Sequence, residues 1–271
     1  MNSITISIAD IPTTLVLDQC DAALEQFVAE RYSAFRIPPL AEALAVRLIV
    51  EPGPPYIPLD VSSTWQIHTQ RHGDRIDFES FHERGWVDLA LGQGELVLRP
   101  GGLPENFLRV LYAWQSVEHN LLLLHAAGII SHGRGFVFFG PSGNGKTTVT
   151  TFSLDRTVLS DDIVIVKKVG QKYRVYGVPF RGDMPEAPRT NAVADLCGAF
   201  TLVKDAEHRL SEMPVWEAVA KLARCVPFVM TEPAHTNRVM DICRDLVATV
   251  PVRAMHFRRD PDFWRMLDGL E

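Results

Sequence analysis

The sequence has little of what marks a secreted, metal-cluster or nucleic-acid-binding protein. Its four cysteines, Cys20, Cys197, Cys225 and Cys243, are scattered, with no C-x-x-C pair and no histidine at ligand spacing. A zinc site and a disulfide framework are therefore not expected, and buried, reduced thiols are. No run rich in lysine and arginine occurs, and the formal net charge is -6. That balance argues against nucleic acid as a partner held by bulk electrostatics. No apolar run reaches the length of a membrane span; the longest, Leu121 to Leu124, is broken by His125. The first ten residues lack the basic and long apolar regions of a signal peptide, so the expectation is a cytoplasmic protein with no membrane partner. No repeat or low-complexity segment stands out.

What is present is a chain of 271 residues, 46% of them apolar, enough for a large core with an appended smaller lobe. Its focus is Gly140-Pro-Ser-Gly-Asn-Gly-Lys146-Thr-Thr148, which contains G-x-x-x-x-G-K-[ST] from Gly140 to Thr147. Such a loop has to bring several backbone N–H groups onto one anion, and glycine allows the positive-φ turns and the close approach this needs. Gly140, Gly143 and Gly145 supply those positions, with Pro141, Ser142 and Asn144 between them. A helix starting near Lys146 adds its N-terminal partial charge, Lys146 reaches the outer phosphates, and the Thr147 hydroxyl suits Mg²⁺. The apolar run Phe136 to Phe139 predicts a buried strand leading into the loop, which completes the order strand, loop, helix.

A second informative stretch follows at once. Asp161 and Asp162 interrupt the apolar run Thr157 to Lys167, with only 14 residues between Lys146 and Asp161. Adjacent residues of a strand point to opposite faces, so the two carboxylates share one task only if the strand bends there. An ionised carboxylate in such surroundings calls for a metal ion, a lysine or a substrate proton nearby. One aspartate on Mg²⁺ with Thr147, and the other as general base, is the expected division; for the metal the choice is Thr147 and Asp161, while the base stays open between the pair. His125 interrupts an apolar run and reads, from its neighbours alone, as a core histidine satisfied by a backbone partner.

The rest of the chain divides by pattern. Alternating runs at Ile4 to Ile8 and Ala45 to Val50 predict strands, with a short helix over Ala22 to Tyr32 between them. Runs at Asp74 to Phe81, Gly85 to Leu91 and Gly94 to Arg99 predict an antiparallel meander, and Leu103 to Glu118 an amphipathic helix. Beyond the loop, strands are expected at Leu121 to Ile130, Tyr173 to Gly182, Gly198 to Lys204 and Val252 to Phe257. Helices are expected over Val215 to Arg224, Asn237 to Ala248 and Asp260 to Leu270. The organisation predicted is a β-rich N-terminal lobe over residues 1–100 and a nucleotide-binding domain over 101–271.

Strand, loop, short helix, then Leu159-Ser-Asp-Asp162 and a Val/Ile-rich strand resembles the HPr kinase/phosphorylase family and the ATP-dependent phosphoenolpyruvate carboxykinases that share its core. Leu124-His-Ala-Ala-Gly128 is similar to the corresponding stretch of bacterial kinases related to HPr kinase, and Gly177-Val-Pro-Phe180 to the segment after their double aspartate. The resemblance covers residues 121–205 and implies an α/β fold, with a mixed sheet and flanking helices around a P-loop. It makes Gly140 to Thr148 the triphosphate site, Asp161 and Asp162 the metal and proton-transfer pair, Lys146 a catalytic cation and His125 an active-site neighbour. The implied activity is ATP- and Mg²⁺-dependent transfer to a hydroxyl, with a serine of a protein or peptide first among acceptors. A non-catalytic nucleotide-binding module and a carboxykinase-like small-molecule phosphotransferase are the alternatives. Arg181 is placed to neutralise phosphate or to be a solvated turn residue, and the proline-containing stretch Asp183 to Asn191, with Arg189, would suit a loop over the site. The N-terminal lobe does not resemble that of HPr kinases. The acceptor, whether protein, peptide or small molecule, and a homo-oligomeric state are therefore left open.

Overall fold

The computed structural model describes residues 2–58, 66–180, 182, 184, 187–188 and 190–270. Arg181 and Arg189, and with them most of the charged part of the loop expected over the site, lie outside the described residues. The chain divides into two compact units, Met1–Gln115 and Ser116–Glu271. Both are built on mixed eight-stranded sheets with few helices, an α/β architecture. Among the described residues, no helix is long and apolar enough to cross a membrane.

In the first unit, β1 (Asn2–Ile8), β2 (Ile11–Leu17), α1 (Ala22–Arg31), β3 (Arg36–Ile37) and β4 (Leu44–Val50) are followed by β5 (His68–His72), β6 (Arg75–Glu79), β7 (Glu83–Asp88) and β8 (Gln93–Leu98). The sheet order is β3-β1-β2-β4-β8-β7-β6-β5, with β2, β4 and β8 parallel and the meander from β5 to β8 antiparallel. The helix α2 (Glu105–Glu118) runs across the division of the chain. Its first turn is anchored by the buried Glu83, which accepts from the Phe107 N–H at 3.0 Å and from Asn106 Nδ2 at 2.7 Å. Burial outweighs those two bonds and pushes the Glu83 carboxyl up to about 8.

The second unit carries β9 (Leu121–Ser131), β10 (Arg134–Phe139), α3 (Lys146–Thr151), β11 (Thr157–Ser160), β12 (Ile163–Val169), β13 (Lys172–Tyr176), β14 (Val193–Lys204) and β15 (Arg209–Ser211). It ends with α4 (Val215–Ala223), α5 (Pro233–Thr249), β16 (Val252–Phe257) and α6 (Phe263–Asp268). β10 pairs antiparallel with β9 on one edge and parallel with β14 on the other. Since β9 also pairs β12, β12 pairs β13, and β13 pairs β14, these strands close into a hydrogen-bonded ring. Strands buried on both sides should read as continuous apolar runs, and Leu121 to Leu124, Phe136 to Phe139 and Ile163 to Val166 all do. Outside the ring, Phe136, Phe138 and Phe200 pack with Phe263 and Trp264 of α6, whose indole N–H donates to Ser153 Oγ at 2.9 Å. Trp264 is thus a packing residue, as its place in an apolar helix implies.

The expected strand Thr157 to Lys167 is two strands: β11 ends at Ser160 and β12 begins at Ile163, with a bend between them. Both lie antiparallel on β9, Ser160 opposite Gly128 and Ile163 opposite His125. Three strands of the first sheet, β2, the two-residue β3 and β5, carried no sequence signal. The β1–β2 turn is Ala9-Asp10, both at positive φ without a glycine, and β5 is a polar edge strand without β-branched aliphatics.

Glu83 holds its proton in the fold at pH values where the unfolded chain has lost it, so its contribution to stability is full at low pH and is lost as pH rises toward 8. Glu83→Gln should therefore gain relative to wild type as pH is raised from 5 to 8.5. A difference of about 1–2 kcal/mol, or a few °C in thermal midpoint, is expected at the upper end. Parallel midpoint-versus-pH curves would contradict the assignment.

Candidate phosphate-binding and phosphotransfer site

The site lies where β10 gives way to the Gly140–Gly145 loop, beside the same end of the parallel neighbour β14. Gly140 and Gly145 both take positive φ, 142° and 108°, and a Cβ on Gly145 would stand 2.8 Å from Phe257 Cζ. The loop therefore needs glycine at both positions for conformation, and at Gly145 for space as well. Lys146 is buried and folds back on the loop, donating to Gly140 O at 3.0 Å and Pro141 O at 3.5 Å. An incoming phosphate would exchange those carbonyls for its own oxygens. α3 has only six residues, so the cradle rests on loop amides more than on a helix dipole.

The bend between β11 and β12 sets the carboxylates. Ser160 Oγ accepts from the N–H of Asp162 at 3.2 Å and of Ile163 at 3.1 Å, a side-chain turn that takes these two amides. Freed from strict alternation, Asp161 and Asp162 both border one cavity of about 170 Å³. Its other walls are His125, Ser142, Gly143, Gly145, Lys146, Thr147 and Thr148. The two aspartates are held differently. Asp161 is buried and accepts from the Met184 N–H at 2.9 Å, while Gly182 lies against its carboxylate so closely that a Cβ there would overlap it. Asp162 is more open and stands 2.9 Å from His125 Nε2.

His125 departs from the core-histidine expectation. Its backbone N–H does find a backbone partner, Cys225 O at 2.7 Å, but its side chain is 45% exposed and turned to Asp162. Gly140, Pro141 and Asn144 face a neighbouring cavity of about 390 Å³ that shares His125. Of the residues singled out from the sequence for the loop and the acidic pair, the structure thus gathers Gly140 to Thr148, His125, Asp161 and Asp162 around two adjoining cavities, while Arg181 and Arg189 lie outside the described residues. Sequence reasoning passed over Ser160, although a serine directly before two aspartates is a turn signal, and over the Met184 amide and Cys225 carbonyl, which carry no side-chain signature.

Among the described residues there is no group of three or more His, Cys, Asp and Glu side chains placed to hold a metal. The oxygen donors on the small cavity, the Thr147 hydroxyl and the two carboxylates, are those of a hard cation that keeps most of its coordination from phosphate and water. They fit Mg²⁺ carried in by a nucleotide rather than a cage built by the protein.

Gly182→Ala tests the packing of this site. It should move the Asp161 carboxylate and lower stability by about 1–3 kcal/mol, read as a drop in denaturation midpoint. An unchanged midpoint would mean that the carboxylate is not wedged against residue 182.

Compared with known proteins, the chain matches no family model, and no curated protein matches it. Among solved structures, the HPr(Ser) kinase/phosphatase from Coxiella burnetii matches at 9% identity, over 50% of this chain and 85% of that one, with a TM-score of 0.28.

Proposed function

We propose that the protein is an ATP- and Mg²⁺-dependent phosphotransferase that moves the γ-phosphoryl group to a hydroxyl. The observation that supports this best is the bordering of one small cavity by the glycine-rich loop, Lys146, Thr147 and both carboxylates. A loop alone would support only nucleotide binding; a base beside the loop supports transfer. In this reading the loop amides and Lys146 hold the phosphates in line. Thr147 and Asp161 hold Mg²⁺, which when bound neutralises charge on the phosphates. Asp161 suits that role because the Met184 N–H and Gly182 fix one orientation of its carboxylate. Asp162 takes the hydroxyl proton, oriented by His125 at 2.9 Å. A serine of a protein or peptide and a small-molecule alcohol both meet this chemistry.

The test is incubation with γ-labelled ATP and Mg²⁺ against hydroxyl acceptors, with label in the acceptor as the positive result. Nucleotide binding without any labelled product would leave a binding module instead. Lys146→Ala should abolish the rise in thermal midpoint caused by Mg·ADP. Asp161→Asn should keep ADP affinity in Mg²⁺-free buffer and weaken Mg²⁺ binding to the ADP complex about tenfold. Equal Mg²⁺ affinity in the two proteins would remove Asp161 from the metal.

A further inference from the structure

The second cavity has a character of its own. It is about 390 Å³ in volume, the size of a small-molecule pocket, and it adjoins the phosphotransfer site through His125 and the loop residues Gly140 and Pro141. Lys221 and Arg224 border it, and among the described residues no aspartate or glutamate does. Three residues apart along α4 and its C-terminal cap, they fall on one helix face. Their position is set from below. Cys225, next to Arg224, accepts the His125 N–H through its carbonyl at 2.7 Å. The cationic pair is thereby tied to β9, the strand that carries His125. Lys221 has a partner in Glu217 at 2.9 Å, but this is a solvated one-turn pair that an anion displaces at little cost. The remainder of the wall comes from Thr201, Leu202 and Val203 of β14.

We propose that this cavity is the acceptor pocket and that it takes a hydroxyl compound carrying a carboxylate or phosphate beside the hydroxyl. The proposal rests on the phosphotransferase reading. Lys221 and Arg224 bind the anion, Arg224 offering a planar fork that matches either group. The hydroxyl then points past His125 toward Asp162 and the γ-phosphate. In the transfer the acceptor oxygen bonds to the γ-phosphorus, and the bond from that phosphorus to the bridging oxygen breaks. The electron pair of that bond leaves on the β-phosphate as ADP, and the hydroxyl proton passes to Asp162. The chemistry is shared by a free hydroxy acid or phosphorylated polyol and by a serine flanked by acidic residues in a peptide.

Calorimetry on the full chain saturated with Mg·AMPPNP decides the matter. The probes are glycerol, D-glycerate, glycerol 3-phosphate, and the blocked peptides Ala-Glu-Ser-Glu-Ala and Ala-Gln-Ser-Gln-Ala. At least one anionic probe should bind tenfold or more tightly than its neutral counterpart, and the peptide and small-molecule arms identify the source. The double variant Lys221→Gln, Arg224→Gln should lose that preference while its Kd for Mg·AMPPNP stays within twofold. The proposal is overturned if no anionic probe binds, if neutral probes bind equally well, or if the double variant weakens Mg·AMPPNP as much as it weakens the anion. Failure of Mg·AMPPNP to bind wild type would contradict the phosphotransferase reading instead. The same anion arms on the nucleotide-free chain, with the same outcomes, then decide the cavity.

Discussion

The bend held by Ser160 is the constraint on which the site depends. A straight strand from Thr157 to Lys167 would send Asp161 and Asp162 to opposite faces, one toward the loop and one away from it. By accepting from the amides of Asp162 and Ile163, the Ser160 hydroxyl satisfies two backbone donors. The chain can then turn and still rejoin β9 at His125. Because β9 also pairs with β10, one strand sets the register of the loop, the histidine and both carboxylates.

Within that frame the two aspartates differ in their restraints. Asp161 is buried, fixed by a backbone N–H and pressed by Gly182, whereas Asp162 is held by a partly exposed histidine. A metal ligand gains from a single orientation, and a base gains from room to accept a proton and release it. This asymmetry favours one division of labour between two residues that the chain presents as a pair.

Much of this was legible in the sequence because it rests on short-range rules. The loop follows from its glycine spacing, the strand before it from Phe136 to Phe139, and the meander of the first unit from alternation and its Gly-containing turns. What escaped depended on contacts between distant residues or on turns without their usual residues. The Ala9-Asp10 hairpin lacks a glycine, so β2 gave no signal. The closure of the ring through β10 and β14 joins segments some sixty residues apart. Lys221 and Arg224 were not singled out in the sequence, where only the helix over Val215 to Arg224 is legible; the bond from the His125 N–H to the Cys225 carbonyl, a hundred residues away, accompanies their place beside the loop.

The most direct measurement is the single-turnover rate of phosphoryl transfer from Mg·ATP in Asp162→Asn compared with wild type, alongside nucleotide affinity in both. If Asp162 is the base beside a phosphate held by the loop, affinity stays within a few-fold and transfer falls about 10²–10⁴-fold. Transfer at the wild-type rate in Asp162→Asn would contradict the assignment and leave the bend at Ser160 without the role given to it here.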